Sequence, residues 1–86
     1  MVVHILSYYQ NGNMSSTMEI LLGKRLKELR EERGLTQREL SAILNLNSVT
    51  YLHYEKSQRE PSLSVLVDMA KFFDVSCDYL LGLTDI

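Results

Sequence analysis

The sequence predicts an all-α fold of five short helices in one domain. Three observations carry that expectation. Apolar residues recur at helical spacing, as in Leu22, Leu26 and Leu29, and again in Leu63, Leu66, Ala70 and Phe73. Four segments open on a Thr, Asn or Ser flanked by apolar residues, the pattern of a capped helix start. Only one proline, Pro61, is present to interrupt helices, and no low-complexity stretch or internal repeat occurs. A chain of 86 residues that is 45% hydrophobic suffices for a single small core.

The first helix is expected from about Glu19 to Arg33, with Ser16 and Glu19 as its capping pair and Gly34 as its stop. The second opens on Thr36-Gln37-Arg38-Glu39, a capping box, with Leu35 and Leu40 as the matching hydrophobic staple. It ends near Leu44, because Asn45 tolerates the left-handed backbone that such a stop needs. Asn47 caps the third helix, with Leu46 and Tyr51 as its staple, and Ser57 marks its exit. So short a connection between the second and third helices forces a sharp angle between them. Pro61-Ser62 starts the fourth helix, and Ser76 caps the fifth with Val75 and Leu80 as staple. Asp78 near that last start suits the helix dipole.

Residues 1–18 read as a separate N-terminal extension and residues 19–86 as the helical domain. The run Val2-Val3-His4-Ile5-Leu6-Ser7-Tyr8-Tyr9 is rich in β-branched and aromatic residues, and Gln10-Asn11-Gly12-Asn13 reads as a turn. Two readings stand: a frayed tail, with Met14 and Met18 as alternative starts, or a short β-strand. A lone strand needs a partner. An ordered strand here is expected to pair with a second chain, as a dimerisation arm, or to pack on the helices.

Several function classes are excluded by composition. No apolar run approaches the roughly 18 residues of a membrane span. The opening segment lacks the basic flank of a signal peptide, so a cytoplasmic protein is expected. The lone Cys77 has no disulfide partner within the chain and suits a reducing compartment. One Cys and two distant His residues offer no metal site, and no cofactor motif appears. No Ser-His-Asp, paired-carboxylate or phosphate-loop spacing is present, so an enzyme is not expected. Net charge is −2, yet its distribution is uneven. Residues 23–60 carry a balance of +2, against −3 over residues 61–86 and −1 over residues 1–22.

Two short helices at a sharp angle are how a protein lays a helix in the major groove of DNA. Gln37, first in the second helix, stands where unsatisfied backbone N–H groups attract an anion, so it is a candidate phosphate contact. On the third helix Tyr51 and Tyr54 are expected to face the core. Ser48, Val49, Leu52 and His53 lie on the other side as candidate base contacts. Ser48 suits almost any base edge, Val49 and Leu52 suit a thymine methyl, and His53 suits a base or a phosphate. Asn47 combines capping with a candidate phosphate contact. Glu55 does not belong on a phosphate-facing surface unless paired, and is expected to bond a backbone N–H or to hold Arg59. Lys24 and Arg25 are weaker candidates for distal phosphates, on a solvent face shared with Glu28, Glu31 and Glu32.

From Leu22 to Gly82 the chain resembles the λ-repressor-like helix-turn-helix regulators, the xenobiotic-response-element or Cro/C1-type family. The carriers are Leu35-Thr36-Gln37, Glu39-Leu40, Thr50-Tyr51, Tyr54-Glu55, Arg59-Glu60-Pro61-Ser62 and Asp78-Tyr79-Leu80-Leu81-Gly82. The resemblance implies a five-helix DNA-binding fold whose second and third helices read DNA. It also implies backbone contacts from Lys56, Gln58 and Arg59, which match family positions that grip phosphates. Asn45 and Ser57 stand where the family often has Gly. Ser48 and Val49 stand where it commonly has polar or basic side chains.

The leading expectation is a transcriptional regulator, a dimeric repressor that inserts the third helix, about Asn47–Lys56, into operator DNA as a homodimer. The alternative keeps the fold for a protein partner, as an antitoxin or an antagonist of a related repressor would. The acidic C-terminal third and the apolar-looking third helix favour it, and exposed apolar groups expected at Leu83 and Ile86 suit either this or self-association.

Overall fold

The computed structural model describes residues 20–86. The expected N-terminal extension, its strand reading and the Ser16–Glu19 capping pair lie outside the described residues. Five helices follow in order: α1 (Leu22–Glu32), α2 (Gln37–Ile43), α3 (Ser48–Glu55), α4 (Leu63–Phe73) and α5 (Cys77–Leu81). Among the described residues there is no strand, and no helix is long and apolar enough to cross a membrane.

Four helix starts are written in the sequence and are found as written. Thr36 accepts a hydrogen bond from the Glu39 N–H at 3.0 Å, and the Glu39 carboxylate accepts from the Thr36 N–H at 2.8 Å, closing the capping box. Asn47 Oδ1 accepts from Val49 and Thr50, Ser62 from Val65, and Ser76 from Tyr79. The first helix differs from expectation: it begins at Leu22, after Leu21, with no side-chain cap. Thr36→Ala removes one acceptor from the start of α2 and is expected to cost about 1 kcal/mol in urea unfolding.

All five helices stop the same way. Each is followed by a residue in the left-handed region: Gly34, Asn45, Ser57, Asp74 and Gly82. Each such residue, and the one after it, donates back into the last turn. After α2, for example, Asn45 donates to Ala42 O at 3.1 Å and Leu46 to Ser41 O at 2.8 Å. These paired bonds satisfy carbonyls that the helix end leaves open. In the connection from α2 to α3 the device reverses the chain within a few residues, which fixes the angle between the two helices.

The core joins all five helices. It comprises Leu22 and Leu26 from α1, Leu40 from α2, and Tyr51 and Tyr54 from α3. Leu66, Met69, Ala70 and Phe73 come from α4 and Leu80 from α5. Leu29, Leu35, Leu46 and Val75 pack half-buried against it, so the outer member of each expected staple from α2, α3 and α5 meets the core that holds its partner. Tyr51 and Tyr54 meet edge to face, ring centres 6.5 Å apart. One expectation on α4 is corrected. Leu63 is 81% exposed and Met69 fully buried, so the apolar face is rotated from the expected one. Leu63 is the first residue of α4, ahead of the stripe that packs.

Candidate nucleic-acid interface

Helices α2 and α3, set across each other by the Asn45 turn, share one shallow groove. Gln37 and Arg38 from the start of α2 line one side. Ser48, Val49 and Leu52 from α3 line the other. On α3, Ser48, Val49, Leu52 and His53 fall within one arc of the helical wheel, opposite the buried Tyr51 and Tyr54, and Lys56 continues that arc just past the helix end. Val49 is 55% exposed. The structure thus brings together Gln37, Ser48, Val49 and Leu52 of the expected site. The groove lining does not include Asn47, His53, Lys56, Gln58 or Arg59. Asn47 is committed as the cap of α3 and remains exposed. His53 is half-buried in the last turn of α3, and Lys56, Gln58 and Arg59 are exposed beyond it.

Beneath the groove lies a polar cluster that the sequence did not reveal. The Glu55 side chain is 2% exposed. Arg30 of α1 grips it through two bonds, Nε to Oε2 at 2.6 Å and Nη2 to Oε1 at 3.1 Å. The buried Tyr51 hydroxyl donates to Oε2, and Gln37 Nε2 donates to Oε1 at 3.0 Å. Arg30 Nη1 also donates to Leu35 O at 2.8 Å. The partner expected for Glu55, Arg59 or a backbone N–H, is therefore corrected to Arg30, Tyr51 and Gln37. Arg30 extends the apolar stripe of Leu22 and Leu26 by one more turn. An arginine on that stripe was the available signal for a buried ion pair.

The electrostatics follow from the cluster. Burial pushes the Glu55 carboxyl up, but bonds from Arg30, Tyr51 and Gln37, with the Arg30 charge, outweigh it and hold the carboxyl below its ordinary value. Burial, reinforced by the Glu55 carboxylate, pushes the Tyr51 hydroxyl far up, so it stays a donor. A buried carboxylate beside a candidate anion site is thereby neutralised. The cluster also orients Gln37. A primary amide has two donors; Glu55 holds one N–H of Gln37, and the other remains to donate outward.

Arg25 is not disposed as a distal phosphate contact. Its guanidinium stacks on the Tyr79 ring, 4.2 Å from the centroid, and donates to Tyr79 O and Thr84 O. It also pairs with Asp85 at 3.4 Å. It clasps the end of α5 to α1. Among the described residues no cluster of three or more potential metal ligands occurs.

Two short helices crossing at a tight turn, the second with an outward polar and apolar face, make a helix-turn-helix unit. A family model described as Helix-turn-helix matches residues 26–80, and the chain belongs to that family. It is 43% identical over 61 residues to the HTH-type transcriptional regulator ImmR of Bacillus subtilis (strain 168), covering 71% of this chain and 48% of ImmR. It is 34% identical over 55 residues to the cryptic phage CTXphi transcriptional repressor RstR of Vibrio cholerae, covering 64% of this chain and 50% of RstR. The chain thus spans about half the length of these relatives. A crystal structure of a transcriptional regulator from Listeria innocua superimposes with a TM-score of 0.70 at 26% identity. That match covers 74% of this chain and 60% of the other. The five-helix, λ-repressor-like reading of the sequence accords with these matches.

Proposed function

We propose that this protein is a cytoplasmic, non-enzymatic transcriptional regulator that binds double-stranded operator DNA as a homodimer. It lays α3 in the major groove and represses by occluding the promoter. The observation that carries this reading is the shared groove of α2 and α3. There Gln37, the residue to meet a phosphate, lines the same groove as Ser48, Val49 and Leu52, the residues to meet base edges in this reading. Asn47, His53, Lys56, Gln58 and Arg59 extend the contact surface along α3 and beyond it. The names of ImmR and RstR, a transcriptional regulator and a transcriptional repressor, support the same reading.

The test is selection of random duplex DNA by the purified protein near physiological salt. The expected product is a two-fold symmetric site with half-sites about one helical turn, roughly 34 Å, apart. Gln37→Ala is expected to weaken binding to every sequence by roughly tenfold, the scale of one bond to a charged group. Val49→Ala is expected to change the preferred base instead. Unchanged affinity and preference in both variants would overturn the assignment of the surface.

A second reading, an antitoxin-like or antagonist module that binds protein, draws on the exposed Leu63 and Val67, one turn apart on α4. Salt separates the two: DNA binding weakens steeply as salt rises, and an apolar protein contact does not.

A further inference from the structure

We propose that Arg38 is a base-reading residue, the group by which this protein recognises a guanine beside a thymine. The inference rests on the DNA-binding reading above. The chain has five arginines, and three are engaged within the fold. Arg25 clasps the end of α5, Arg30 is buried against Glu55, and Arg33 lies 5.1 Å over the Phe72 ring and 5.4 Å over that of Phe73. Among the described residues Arg38 makes no ion pair. It is exposed, and it lines the groove with Ser48, Val49 and Leu52. Its neighbour Glu39 is held in the capping box with Thr36 and does not neutralise it.

The arc of α3 that lines the groove is otherwise poor in recognition chemistry. Ser48 is its one polar side chain there, and a hydroxyl discriminates little between bases. Arg38, supplied from α2, is the one guanidinium on this lining. Its planar fork matches O6 and N7 of guanine in the major groove. Val49 and Leu52 on the same lining suit a thymine methyl, so the favoured half-site pairs a guanine with a nearby thymine. Gln37, anchored to Glu55, serves the backbone; Arg38, with no such anchor, serves the base.

The experiment repeats the duplex selection with wild type, Arg38→Gln and Arg38→Lys, each checked for helix content, and measures the salt slope of binding. Arg38 is exposed and carries no side-chain bond among the described residues. The expected result is that Arg38→Gln loses preference for one guanine per half-site by about 10- to 100-fold with other positions unchanged. Arg38→Lys is expected to keep a weaker preference for the same base. Uniform weakening across all sequences, with a salt slope smaller by about one, would make Arg38 a phosphate contact and overturn the proposal. An unaltered motif would overturn it as well. Wild-type protein that selects no duplex would instead overturn the DNA-binding reading on which it rests.

Discussion

Gly23→Ala is expected to destabilise the protein by about 3 kcal/mol, lowering the melting temperature by roughly 10–20 °C. Gly23 is where α1 crosses the end of α3. A Cβ there would stand 2.4 Å from Glu55 O and 2.8 Å from both Tyr54 O and Ser57 Oγ. Two of these atoms are backbone and cannot swing aside. The helices would have to separate, and α3 carries both the buried Glu55 and the groove face. A domain of this size holds only about 4–13 kcal/mol in total, so the loss is a large fraction. Gly34→Ala is the matched control. Its Cβ would meet nothing within 4 Å, and only the left-handed backbone is strained, costing about 1–2 kcal/mol. Equal melting temperatures for the two variants would contradict the close crossing.

Glu55→Ala is expected to cost about 3–5 kcal/mol, the range for removing one member of a buried ion pair. The Arg30 guanidinium, the Tyr51 hydroxyl and one N–H of Gln37 would all lose their acceptor. The pair also sets a pH dependence. The Glu55 carboxyl is held below its ordinary value of 4.5 in the folded state. Its contribution is therefore fully present above that value and is lost as pH falls through the folded one. Urea unfolding at pH 7 and pH 3 is expected to show a larger loss for wild type than for Glu55→Gln, which has no carboxyl to protonate. Equal losses would show that the cluster does not act through its charge.

The local grammar of this chain was legible in its sequence. Thr36, Asn47, Ser62 and Ser76 announce themselves as caps, and Gly34, Asn45 and Ser57 as stops, because such signals depend on a few neighbouring residues. Asp74 shows the limit: as an aspartate in the left-handed region after α4, it ends that helix without the glycine that would announce it. The rotation of the α4 face was hidden for a related reason. Leu63, Leu66, Ala70 and Phe73 have helical spacing, and so do Leu66, Met69, Ala70 and Phe73. Periodicity alone does not choose between them. The Arg30–Glu55 pair joins residues 25 positions apart: the apolar stripe marks Arg30 as interior, but only packing reveals Glu55 as its partner. In the candidate site, Ser48, Val49 and Leu52 are legible from helix periodicity, and Gln37 from its place at the start of the second helix. Arg38 is not, since its place in the groove depends on how α2 crosses α3.

The proposed function requires that the groove between α2 and α3 face DNA. Backbone amide NMR shifts, recorded while the protein is titrated with a duplex recovered from selection, test it most directly. The largest changes are expected at Gln37, Arg38, Ser48, Val49 and Leu52, with little change on the outer face of α4. Changes centred on Leu63 and Val67, with the groove amides unmoved, would contradict it.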